Sequence, residues 1–114
     1  MTLDVKAMPR LDWSPVPYDG CRNVESRTLL RNEQASVAML RFAKDATIHE
    51  HAAPMDIDVI CLEGEGMTSI DGESASIEMG RTVRWPAGAK HRLWTEGSEM
   101  TTLMIEHIGT IKRS

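Results

Sequence analysis

The sequence predicts an all-β fold in a single domain, an antiparallel sandwich or barrel. Three observations carry this. From Glu25 to His107 short apolar runs alternate with turn signals, and no stretch sustains a helical period. The runs give eight or nine short strands, the number and spacing of a sandwich or closed barrel. The chain has 114 residues, enough for one core and too few for two.

The strands expected in order are Arg27–Arg31, Ser36–Phe42, Thr47–His51, Ile57–Glu63, Met67–Ile70, Ser74–Glu78, Thr82–Trp85, His91–Thr95 and Met100–His107. Turns are expected at 31–33, 44–45, 64–66, 71–72 and 96–98, where Gly, Asn, Asp and Ser gather. Asp71-Gly72 is the strongest hairpin signal, because a type I′ turn needs positive φ at both central residues. Ahead of the strands, Pro9, Pro15, Pro17 and Gly20 interrupt Leu11, Trp13, Val16 and Tyr18. That spacing excludes a helix and reads as an extended arm over residues 1–24, followed by a barrel domain over 25–114. The arm must rest its Trp on its own domain or on a neighbouring subunit.

Composition excludes several classes. The formal net charge is -4 and the pI about 5.5, so no basic stripe exists to neutralise phosphates, and nucleic acid is not an expected partner. No window approaches the ~20 apolar residues of a membrane span, and residues 1–20 have no apolar run behind a charged start. A cytoplasmic protein is expected. Cys21 and Cys61 make no disulfide framework and read as free thiols.

The chemistry gathers around Gly80-Arg-Thr-Val-Arg-Trp-Pro86-Ala-Gly88-Ala-Lys-His91-Arg-Leu-Trp94. Thr82, Val83 and Trp85 are β-formers, Pro86 ends sheet pairing, and Gly88 permits a sharp bend. His91 therefore opens the returning strand. The pattern G-x5-P-x-G-x2-H-x3 resembles the second motif of the cupin superfamily, among its small single-domain RmlC-like barrels. Thr95 stands at the closing polar position, which is most often Asn. The resemblance implies an antiparallel jelly-roll β-barrel with His91 pointing inward, commonly as a metal ligand.

The first cupin motif, G-x5-H-x-H-x3,4-E-x6-G, supplies two His and a Glu to the same ion. The matching stretch, Asp45 to Gly66, departs from it. Aligned without gaps from Gly64, the Glu position holds Ile57, the second His position holds Ala53, and the first is His51. Aligned on the visible His-x-His, the pair is His49 and His51, with Asp56 at the acidic position and one residue too many before Gly64. Side chains two apart on a strand share a face, so His49 points inward if His51 does. His49, His51 and His91 could then hold one divalent transition metal (Zn, Fe, Ni, Co or Mn), with Asp56 as a further ligand if the 52–55 connection bends it inward.

A barrel-lining pocket is expected from Met39, Cys61, Trp85 and Trp94. Met is abundant here, eight against one Phe and one Tyr, and it adapts to irregular gaps. The two Trp flank the motif-two turn and suit a wall at the barrel mouth. His107 carries no motif and reads as surface. Two functions follow by resemblance. One is a metal-dependent oxygenase or isomerase acting on a small organic molecule. The other is a metal-free binding or sensing module with a degenerate site. A homodimer is expected in either case, because edge strands and the apolar arm invite a partner.

Overall fold

A computed structural model describes residues 2–111. Its eight strands are β1 (Ser14–Pro15), β2 (Arg22–Arg31), β3 (Ser36–His51), β4 (Ile57–Ile70), β5 (Glu73–Glu78), β6 (Thr82–Trp85), β7 (His91–Trp94) and β8 (Met100–Glu106). Their pairing is antiparallel throughout. β3 pairs with β8 and β7, and β4 pairs with the same two strands, so β3-β8-β4-β7 forms a closed circuit. The all-β barrel expected from the sequence is what forms. The helical residues described are a single 3-10 turn at Ile108–Thr110, and no described helix is long and apolar enough to cross a membrane.

Two long bent strands make the closure. β3 runs where two strands and a turn were expected: Ser36–Phe42 pairs with β8, and Thr47 and Ile48 pair with β7. The change of partner falls at Asp45, whose φ is 55°. Asp tolerates this left-handed conformation better than most residues, so the chain bends without leaving the sheet. Thr95 holds the bend, its Oγ1 accepting from Ala46 N–H at 3.0 Å and donating to the Ala43 carbonyl. The closing residue of the motif thus ties β7 to the corner of β3.

β4 repeats the device. Ile57–Gly64 pairs with β8, and Glu65–Ile70 pairs with β5. Gly64 marks the switch at φ 75°, and a Cβ there would lie 2.0 Å from the Glu99 carbonyl oxygen. Only glycine fits, so the signal read as a strand break is a strand bend. Asp71 and Gly72 take positive φ at 47° and 86°, as a type I′ hairpin requires.

The core is the inner face of the barrel: Leu40, Phe42, Ile48, Ile57, Val59, Cys61, Trp85, Leu93 and Met100 are all buried. Of the four strand Met residues, Met100 is buried and Met39, Met67 and Met104 are half-buried. β2 begins at Arg22, ahead of both the strand start and the barrel boundary read from the sequence. The arm lies on this same barrel: β1 pairs with β2, Val16 N–H donates to the Val24 carbonyl at 3.0 Å, and Trp13 is held between guanidinium groups of Arg27 and Arg41 at 4.8 and 4.2 Å. Such cation–π contacts give Trp13 a resting place within the chain.

Candidate functional site: a histidine-lined barrel mouth

His49 and His51 lie two apart at the end of β3, and both line one cavity of about 670 Å³ at the barrel mouth. Its apolar wall includes Ala38, Leu40, Ile48, Ile57 and Met104. The arm closes one side with Val16, Pro17 and Tyr18. Charged groups enter from Arg10, Arg31 and Glu106. Arg31, Ser36, Glu106 and Ile57 lie in one cross-strand row, which explains how a carboxylate near the end of β8 reaches the inner face.

His91 sits behind this wall with 1 % of its surface exposed. Its ring stacks on Trp85 at 4.0 Å and an interplanar angle of 9°. Trp85 is fixed in turn, its indole N–H donating to Thr68 Oγ1 at 3.0 Å while the Thr68 hydroxyl donates to the Arg92 carbonyl. The Nε2 atoms of His51 and His91 face each other at 3.2 Å. His51 Nδ1 lies 2.9 Å from the His49 carbonyl, so that nitrogen carries the proton and Nε2 presents a lone pair. Burial, and then the neighbouring His51, lower the His91 pKa to about 4; the Ala89 backbone offsets part of this. His91 Nδ1 is buried with no hydrogen-bond partner of good geometry.

His49 turns another way. Its Nδ1 is 3.3 Å from Cys21 Sγ, and Gly20 packs so closely that a Cβ there would be 2.8 Å from His49 Cβ. Asp56 is also engaged elsewhere. Its Oδ1 accepts from Ala87 N–H at 2.8 Å, beside the Gly88 N–H to Ala53 carbonyl bond of 2.9 Å. Asp56 therefore braces the turn that carries His91, and the 52–55 connection docks on that turn rather than bending the carboxylate inward. Among the described residues no three His, Cys, Asp or Glu side chains are grouped to hold one ion.

The residues expected to line a pocket are spread out. Cys61 is buried in the core, with Sγ 3.5 Å from the Glu63 and Gly64 carbonyls, and burial raises its pKa. Trp85 lies under His91. Trp94 is half-buried beneath the Arg92 guanidinium at 4.2 Å. Met39 points with Arg27, whose Nη2 is 4.0 Å from Sδ, and alternates with the cavity residues Ala38 and Leu40. None of the four lines the histidine cavity. His107, read as surface, is half-buried, with Nε2 2.7 Å from Asp58 Oδ2. Sequence reasoning did not find Glu106 or the partnership of Cys21 with His49. Strand alternation forward from Met104 could have found the first; the second needed the path of the arm.

No family model and no curated protein matches the sequence. Solved structures do match in fold. A cupin-like protein from Thermotoga maritima aligns at TM-score 0.76 and 17 % identity, over 96 % of this chain and 85 % of its own. A cupin 2 conserved barrel domain protein from Leptotrichia buccalis aligns at 0.71 and 26 %, over 81 % of this chain and 44 % of its own. The chain is a cupin by fold. The polyketide cyclase RemF from Streptomyces resistomycificus carries the same barrel at TM-score 0.81 and 13 % identity, over 94 % of this chain and 80 % of its own. Within this cupin barrel, His51 meets His91 whichever way the first motif is aligned.

Proposed function

We propose that this cupin barrel binds a small, largely apolar organic molecule with one polar or anionic end. The cavity carries the reading: its volume, about 670 Å³, lies within the ~300–1,000 Å³ of small-molecule sites, and an apolar wall meets two imidazoles. Arg10 and Arg31 outnumber Glu106 around it, so a negative end is favoured over a positive one. Anilinonaphthalene sulfonate, an apolar anion that fluoresces in dry pockets, tests this. Saturable binding at one per chain, lost in Ala38→Phe, is expected. Binding that Ala38→Phe leaves unchanged would count against the mouth as the site.

A second reading, a metal-dependent oxygenase or isomerase, is favoured by one observation. Two nitrogens bound to one ion at ~2.0–2.1 Å stand about 2.9 Å apart at a right angle and about 3.4 Å apart at a tetrahedral one. The His51–His91 separation of 3.2 Å falls between. His51 and His91 would hold the ion (Zn, Fe, Ni, Co or Mn), which when bound would supply a Lewis acid beside the cavity. His91, stacked on Trp85, would fix the ion's position, and His51 would face it toward the cavity. Elemental analysis of untagged protein tests this reading: about one metal per chain supports it, and none favours binding alone.

The protein is further proposed to be a cytoplasmic homodimer. Leu3, Val5, Leu11 and Tyr18 of the arm are exposed, and twofold pairing would bury one patch twice.

A further inference from the structure

The Cys21–His49 pair lies apart from the His51–His91 contact. Sγ and Nδ1 are 3.3 Å apart, and the His49 ring also borders the cavity. We infer that Cys21 is a latch: it holds His49 turned from the His51–His91 pair, and removing it lets His49 join them as a third nitrogen ligand. The inference rests on the metal-dependent reading above.

Three features support a latch. His49 and His51 share a strand face, and their ring centroids are 4.8 Å apart with planes tilted by 30°. Rotation of the His49 side chain, whose ring already lies beside that of His51, is the movement the latch restrains. What opposes the rotation is local: the thiol contacts Nδ1, Gly20 packs on Cβ, and the turn beneath is closed by Cys21 N–H donating to the Tyr18 carbonyl at 3.1 Å.

The destination is prepared. His51 has its proton fixed on Nδ1 by the His49 carbonyl, which leaves Nε2 free to donate a lone pair. His91 is buried with an unpartnered Nδ1. Two nitrogens are one short of the three protein ligands usual in catalytic zinc sites, and His49 is the nearest imidazole to His51 on the same face. Cys21 acts in this scheme as a positioning residue, since it touches neither ion nor ligand.

Cobalt(II) titration of the full-length, chelator-stripped protein tests the latch, read by visible absorption and calorimetry. Cys21→Ala should bind Co²⁺ about tenfold more tightly than the native protein, and Cys21→Ala/His49→Ala should fall back to the native level. Cys21→Ser, which keeps a hydrogen-bonding group, should stay near native. Cys21→Val preserves packing volume and should match Cys21→Ala, so a loosened turn cannot mimic the effect. Cys21→Ala affinity equal to native, or a double variant as tight as Cys21→Ala, would overturn the latch. So would a sulfur-to-cobalt charge-transfer band in the native protein, which would make Cys21 a ligand. Binding that is indifferent to His51→Ala would overturn the metal reading itself, whereas binding that needs His51 and ignores Cys21 removes only the latch.

Discussion

The Nε2 atoms of His51 and His91 meet across 3.2 Å, although the two residues lie forty positions apart in the sequence. His51 borders the cavity and His91 lies behind it on Trp85. The pair therefore links a solvent-reachable imidazole to one that burial keeps neutral. Its consequences can be measured.

Acid should destabilise the protein through His91. Its pKa falls from 6.5 when unfolded to about 4 when folded, mainly through burial. Between these values the unfolded chain binds more protons, so stability is full above about pH 7 and falls as pH drops through 6.5 toward 4. The loss is at most about 3 kcal/mol. Urea midpoints at pH 7 and pH 4.5 should differ by more in the native protein than in His91→Phe. Asp58 titrates in a separate window: Arg84, and then His107, hold its pKa at about 2, so its contribution is lost only below the ordinary value of 3.8.

Thr95→Val should cost about 1–3 kcal/mol, because it removes the buried partner of Ala46 N–H and Ala43 C=O. Thr95→Ser keeps both bonds and should lose less. Equal denaturation midpoints for the two variants would contradict the role given to the hydroxyl.

Two glycines with similar φ should respond differently to alanine. Gly64→Ala places Cβ against the Glu99 backbone, whereas at Gly72 nothing lies within 4 Å. Gly72→Ala should cost about 1–2 kcal/mol of left-handed strain. Gly64→Ala should cost several times more or fail to fold, since the obstructing atoms are main chain.

Much of this fold was legible because strand alternation and turn chemistry are local. Gly80, Pro86, Gly88 and His91 fixed a turn and a returning strand from spacing alone. The errors came where one signal has two outcomes. Asp45 and Gly64 read as strand ends, but positive φ inside a ladder also bends a strand that continues. Asp56 carried the right charge for a ligand, yet a carboxylate beside the free N–H groups of a turn is captured by them. Met39 was placed in the cavity although Ala38 and Leu40 already occupy that face. Cys21 was invisible as a partner of His49 because only the folded arm brings residues 28 positions apart together.

Sedimentation tests the arm. A homodimer held through Leu3, Val5, Leu11 and Tyr18 should show about twice the 12.7 kDa chain mass. Removing residues 1–18 should shift it toward monomer. A monomeric full-length protein would show that the arm serves its own barrel alone.

The histidine ring nitrogens give the most direct test of the binding site. In a titration with anilinonaphthalene sulfonate followed by ¹⁵N correlation spectra, the signals of His49 and His51 should move together and saturate. His107, bonded to Asp58 away from the cavity, should stay still. Shifts at His107 with none at His49 or His51, or no shifts at all, would contradict a ligand site at the barrel mouth.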